Sequence, residues 1–228
     1  MLKDIQAAIR GIVSAQAVPG QEPTTSAPAK PLVTVSRDYG AMGDEVAERL
    51  AERLGVECYN RQILDMIADK AKVNAELMAE LDEKVSGMRD AWLYALISGQ
   101  GAFPANYMRH LTNVVLGLMR SGGVVVGRGA HVILSGKGAL RTRVAGSVEV
   151  CARRVAEREG IDLDSARAKV EEIQHERSAF VWKAYKSRLN DATAFDLTLC
   201  SDRFDGPDAI VEVILKTMSV TGLGAGAS

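Results

Sequence analysis

Hydrophobic positions along the chain switch repeatedly between strand-like runs and helical spacing. Leu32-Val33-Thr34-Val35 is a short apolar, β-branched run that reads as a buried strand. Val46, Ala47, Leu50, Ala51 and Leu54 then recur at helical spacing, and Gly55 stands where a helix C-terminus would place it. Val56 to Tyr59 reads as a second short strand. Asn60, a good N-cap type, opens a helical pattern through Ile63, Leu64 and Ile67. Asn74 opens another through Leu77, Met78 and Leu81; Ser86 to Ile97 is helical until Ser98-Gly99-Gln100-Gly101 breaks it. Pro104 begins a helix to about Arg120. Gly122 to Val126 is a glycine-flanked buried strand ending in Gly127-Arg128-Gly129, with helical residues Ala130 to Leu134 after it. Leu140 to Ala145 is an alternating strand, and Ser147 caps a helix containing Val148, Val150, Val155 and Ala156. Asp162 caps a long helix whose apolar stripe is Leu163, Ala166, Val170, Ile173, then Phe180 or Val181, and Ala184. Phe195 to Cys200 is the last strand, and Gly206-Pro207 starts a final helix from Ile210 to Met218.

Strands alternating with helices predict an α/β protein whose parallel sheet, of about five strands, is covered on both faces. In such sheets ligands sit beyond the carboxyl ends of the strands. The expected organisation has three parts. Residues 1–30 form a short amphipathic helix (Leu2, Ile5, Ile9) and a flexible linker rich in Ala, Pro, Thr and Ser; residues 31–220 form the domain, mainly helical over about 60–121; residues 221–228 are a Gly/Ala-rich tail expected to be disordered.

Composition narrows the class without naming a chemistry. Apolar residues make up 47% and charged residues 25% of 228, which suits an ordinary globular core. A formal charge of -1 gives no support for a nucleic-acid or anionic-membrane binder. Cys58, Cys151 and Cys200 are far apart, with no CxxC pair, and read as small buried residues of a reducing compartment. No stretch reaches the length of a membrane span. Asp4, Gln6 and Arg10 interrupt the N-terminal apolar residues, which argues against a signal peptide and for a cytoplasmic protein.

Candidate chemistry gathers at the strand ends. Strand, glycine turn (Gly40, Gly43) and helix is the layout that aims backbone amides at a phosphate. The usual phosphate-loop text continues with lysine and a hydroxyl residue; here Asp44 and Glu45 follow Gly43. Acids in a first helical turn are favoured by the helix dipole, and they could also share a magnesium ion with phosphates. Arg37, Arg61 and Arg128 each follow a strand, and guanidiniums match phosphate oxygens in bidentate geometry. Arg177 falls on the core-facing stripe of the long helix, so it needs a partner: a local acid such as Glu171 or Glu172, or a phosphate. Lys183, Lys186 and Arg188, beside Trp182 and Tyr185, form a basic cluster suited to a lid over about 175–194. His110, His131 and His175 lack metal-site spacing and read as structural.

The run Val35-Ser36-Arg37-Asp38-Tyr39-Gly40-Ala41-Met42-Gly43-Asp44-Glu45 resembles the opening of the cytidylate kinase-like family. Cys58-Tyr59-Asn60-Arg61, Val125-Val126-Gly127-Arg128, Glu157-Arg158-Glu159-Gly160 and Glu176-Arg177 resemble later stretches of it, in the same order, over most of residues 32 to 217. The resemblance implies a three-layer P-loop fold with a helical substrate-binding insertion and a lid. It implies ATP and magnesium, and phosphoryl transfer to a cytidine monophosphate or similar small phosphorylated metabolite. Ser36 and Gly40, Ala41, Met42, Gly43, Asp44 and Glu45 would hold the nucleotide, with Glu45 the metal candidate. Asn60, Arg61 and Arg128 would face the acceptor, and Arg37, Arg128, Arg177 and Arg188 would supply catalytic positive charge. The sequence departs from cytidylate kinases at Asp44-Glu45, at Met42, and at Gly129, so Arg37 is the candidate replacement for the missing lysine. A non-catalytic nucleotide-binding regulator on the same fold is the alternative. Expected partners are nucleotides, with neither nucleic acid nor membrane, and with the helical insertion or the N-terminal helix as candidate homo-oligomer contacts.

Overall fold

The computed structural model describes residues 30–60, residue 64 and residues 105–225. The N-terminal helix and linker, Arg61 and most of the helical insertion lie outside them. Five parallel strands, β1 (Leu32–Arg37), β2 (Cys58–Tyr59), β3 (Gly123–Val126), β4 (Leu140–Ala145) and β5 (Leu197–Cys200), form one sheet in the order β2-β3-β1-β4-β5. The helices are α1 (Gly43–Leu54), α2 (Ala105–Ser121), α3 (Ala130–Ile133), α4 (Val148–Glu159), α5 (Leu163–Tyr185) and α6 (Pro207–Thr221).

β1 is central because every residue from Leu32 to Ser36 is buried, as a strand covered on both faces requires. One face packs Val33, Val35, Val124, Val126 and Val144 against Val46, Ala47 and Leu50 of α1, Cys151 and Val155 of α4, and Ile210 and Ile214 of α6. On the other, Leu32 and Val125 meet Leu111, Val114 and Leu118 of α2 and Ile133 of α3. Each such aliphatic side chain contributes about 1.5–3 kcal/mol by leaving water. The chain passes from β3 across β1 to β4, so the sheet changes winding direction at β1, and its carboxyl end is the expected ligand position.

Local signals set the boundaries. Gly55 ends α1 in the left-handed conformation, φ 63°. Asp162 caps α5 by accepting from the Ser165 amide, and Ser147 caps α4 through Val150. Two differences from the sequence reading matter for the site. β1 runs two residues beyond Val35, so Ser36 and Arg37 belong to the strand itself. Leu163, placed on the apolar stripe by its spacing, is the first residue of α5 and 44% exposed; the helix buries only Ala166, Val170 and Val181. Of the stretch expected to be a disordered tail, residue 224 is tied to the sheet: the Leu32 amide donates to the Gly224 carbonyl and the Gly224 amide to Gly138. No helix among the described residues is long and apolar enough to cross a membrane.

Candidate functional site

The turn after β1 is built by close backbone packing. A Cβ on Gly40 would lie 2.7 Å from the Cys151 carbonyl oxygen, and one on Gly43 would lie 2.3 Å from the Arg37 Cβ. Met42 takes the left-handed conformation, φ 62°, at the N-cap of α1 without a side-chain cap. The amides of Gly40, Met42, Gly43, Asp44 and Glu45 reach no carbonyl among the described residues. Unsatisfied amides at a helix N-terminus are a ready anion site, so the turn fits a phosphate chain.

Arg37 closes the mouth of this turn. Its stem lies over Gly43, its Nε donates to Asp44 Oδ1 at 3.0 Å and its Nη2 lies 2.9 Å from the same oxygen. A Cβ on Gly127 would meet Arg37 Nη1 at 2.7 Å, so the glycine after β3 leaves room for the guanidinium. The expected replacement for a loop lysine thus reaches the loop, but a carboxylate in the lysine's own position pairs with it.

Between this point and α5 lies a cavity of about 440 Å³, lined by Ser36, Arg37, Arg128, His131, Arg177 and Phe180 among others. Three of the sequence-predicted arginines therefore converge. Arg177 Nη1 donates to the Arg37 carbonyl at 3.0 Å, and its guanidinium lies 5.6 Å from the centre of the Tyr39 ring. Burial, with the Arg37 charge beside it, brings Arg177 down from the ordinary guanidinium range to about 10. It remains cationic at neutral pH and forms no ion pair among the described residues, Glu171 and Glu172 included. Arg128 is buried, at φ 52°, with its guanidinium 5.0 Å from the Phe180 ring centre. Tyr185 holds that backbone by donating to the Arg128 carbonyl at 2.9 Å, and its ring fills the space where a Gly129 Cβ would stand. Left-handed backbone at the non-glycine residues Met42 and Arg128 puts strain at both strand-end turns; Lys186, at the end of α5, is the third such residue among those described.

Arg188 is not part of this cavity. Its guanidinium lies 5.4 Å from the centre of the Trp182 ring, with the Lys186 ammonium 5.7 Å from the same centre, on a second groove of about 600 Å³ lined also by Arg143, His175 and Asn190. Because α5 continues to Tyr185, the stretch 175–194 comprises the last helical turns and the loop that follows. Asn60 follows β2 and is not among the residues lining the cavity, and Arg61 lies outside the described residues.

Four groups outside the sequence-predicted site residues complete the site. Asp38 pairs with Arg143 at 2.7 Å and accepts from the Gly146 amide at 3.2 Å, tying the β1 turn to β4. Tyr39 donates to Glu159, which also accepts from Lys169 and Arg158, and these bonds hold its carboxyl down at about 2. Ser147 donates its amide to Asp202 at 2.9 Å, joining the ends of β4 and β5. His131, read as structural, lines the cavity and sits 3.3 Å from Ser36 Oγ. Only its place three residues after Arg128 could have flagged it. Among the described residues no three His, Cys, Asp or Glu side chains are grouped to hold a metal ion. Magnesium bound with phosphates needs only one or two carboxylates. Glu45, exposed at the loop and 4.0 Å from Arg158, is compatible with that role.

A parallel β2-β3-β1-β4-β5 sheet with a glycine turn between its central strand and the first helix defines a P-loop type α/β fold. The chain belongs to the cytidylate kinase-like family, whose sequence model matches residues 32–203. Among solved structures, an uncharacterized protein from Eubacterium ventriosum is similar with a TM-score of 0.62 and 20% identity, covering 83% of this chain and 99% of that one. Shikimate kinase from Bacteroides thetaiotaomicron follows at TM-score 0.48 and 13% identity, covering 84% and 99%. Shikimate kinase from Acinetobacter baumannii in complex with shikimate stands at 0.43 and 14%, covering 83% and 95%. A search of the curated proteins found no match.

Proposed function

We propose that the chain is an ATP-dependent phosphotransferase whose acceptor, a nucleoside monophosphate or similar small phosphorylated metabolite, binds in the cavity between β1, β3 and α5. The observation that carries this reading is Arg177, a half-buried, cationic guanidinium bonded to a backbone carbonyl and set beside Arg37. Asp38 and Asp44 attract it from a distance, but no carboxylate among the described residues forms an ion pair with it, and a partly desolvated charge left so is compensated by an anion. The cavity supplies apolar walls from Ile173, Phe180 and Val181 for the body of a metabolite and arginines for its charged end.

In this reading the amides from Gly40 to Glu45 hold the phosphate chain of a nucleotide and Glu45 faces its magnesium. ATP would supply the transferable phosphoryl group, and magnesium would offset phosphate charge. Arg37 stands at the junction of turn and cavity, where negative charge develops in phosphoryl transfer, and Arg128 and Arg177 orient the acceptor. The phenol of Tyr39, held by Glu159, keeps the turn and α4 together.

A second reading, a nucleotide-binding regulator without turnover, is favoured by the Arg37–Asp44 pair, which neutralises the cation nearest the loop. A coupled ADP-release assay with CMP, dCMP, UMP and AMP in magnesium separates the two. The kinase reading expects turnover that falls at least a hundredfold in Arg177→Met; the regulator reading expects thermal stabilisation by ATP with no turnover for any acceptor.

A further inference from the structure

The buried atoms without hydrogen-bond partners among the described residues are Thr34 Oγ1, His131 Nε2 and Arg143 Nη1. All three belong to one neighbourhood. β4 lies beside β1 with Thr34 opposite Arg141 and Ser36 opposite Arg143, and His131 meets Ser36 from α3. His131 is 1% exposed, its ring stacked on Phe195 at 4.7 Å and 24°. Burial, helped by the charges of Arg141 and Arg143, lowers its pKa to about 4, so the ring is neutral at pH 7 and carries a single proton.

Where that proton sits follows from the partners. Ser36 Oγ lies 3.3 Å from Nδ1, and Nε2 has no partner. A buried N–H left without an acceptor costs about 1–3 kcal/mol, whereas an unpaired lone pair is better tolerated. The proton therefore belongs on Nδ1, donated to Ser36 Oγ. Ser36 then has its own hydroxyl proton to place, and among the described residues no other side-chain partner lies within reach of its oxygen. Ser36 lines the cavity beside Arg37 and Arg128.

We propose that His131 is a positioning residue that fixes the Ser36 hydroxyl as a hydrogen-bond donor to an anionic oxygen, phosphate or carboxylate, of the ligand in the cavity. The ligand half of this proposal rests on the reading of the cavity as the acceptor site. It makes Ser36 a discriminating contact: a ligand presenting an acceptor oxygen there is bound, and one presenting a donor is rejected.

Long-range nitrogen–proton NMR on the ¹⁵N-labelled full chain at pH 7, with His131→Asn identifying the resonances, reads the tautomer directly. A protonated Nδ1 and a bare Nε2 are expected; a protonated Nε2 or an imidazolium overturns the proposal. Calorimetric titration with inorganic phosphate and with CMP tests the consequence. Ser36→Ala should weaken binding about tenfold, the worth of one hydrogen bond to a charged group. His131→Gln, whose amide reproduces the Nε2 side, should weaken it similarly. His131→Asn, whose amide N–H can stand where Nδ1–H stood, should restore most of it. Equal binding by wild type, His131→Gln and Ser36→Ala contradicts the positioning role alone. A wild-type chain that binds neither probe contradicts the cavity reading instead, and the tautomer measurement still decides the histidine.

Discussion

At the scale of single residues, Arg177 bears charge where the fold gives it little return. Its guanidinium is desolvated, bonded to a carbonyl and faced by Arg37. Arg177→Met should leave the ligand-free melting temperature unchanged or higher, because truncation removes a like-charge contact and a burial cost. The same variant should bind phosphate at least tenfold more weakly by calorimetry; a large drop in ligand-free stability would show that the arginine serves structure. His131 makes a second prediction, through pH. It titrates near 4 folded and near 6.5 unfolded, so below pH 6.5 the unfolded chain takes up a proton that the folded chain refuses. Its contribution is fully present above pH 6.5 and is lost as pH falls towards 4, by about 3 kcal/mol. Urea unfolding from pH 7 to pH 4.5 should fall less steeply for His131→Asn than for wild type; parallel curves would contradict the assignment. Arg177 was legible from its spacing after Ile173. Ser36–His131 was not, because 95 residues separate the pair and only the packing of α3 beside β1 unites them.

At the scale of elements, the proposed function puts the phosphate at the β1 turn and the first turn of α1. Asp44 gains from the helix dipole and from Arg37, and both gains are withdrawn from any anion that binds there. Asp44→Asn should tighten ATP binding measured without magnesium, roughly fivefold for about 1 kcal/mol released from a half-exposed pair. Weaker binding would mean that Asp44 orients Arg37 rather than screening it. Gly43→Ala places a methyl group against the Arg37 stem and should abolish ATP-induced thermal stabilisation while the fold persists; retained stabilisation would show that Arg37 can move at no cost. The strand–turn–helix order here was legible because β-branched and helical spacings meet at two glycines. The ends were less so. Ser36 and Arg37 have strand geometry because Ser36 and Arg37 pair with Arg143 and Val144, a neighbour that local sequence does not reveal.

For the whole molecule, alternation of strands and helices was enough to anticipate a parallel five-stranded sheet, and its order places β1 between β3 and β4. What spacing could not supply was which strand ends become neighbours. Arg37, Arg128 and Arg177 share one cavity because β1 and β3 are adjacent and α5 crosses their ends, whereas Arg188 stands in another groove after α5 has run through Tyr185. In the proposed function the site divides into a phosphate turn, an arginine junction and an acceptor cavity. A crystal structure of the full chain with a non-hydrolysable ATP analogue, magnesium and CMP tests that division most directly. The account predicts the terminal phosphates on the amides of Gly40 to Glu45 and the acceptor's phosphate against Arg128 and Arg177. A triphosphate bound elsewhere, or a cavity left empty at saturating CMP, would contradict it.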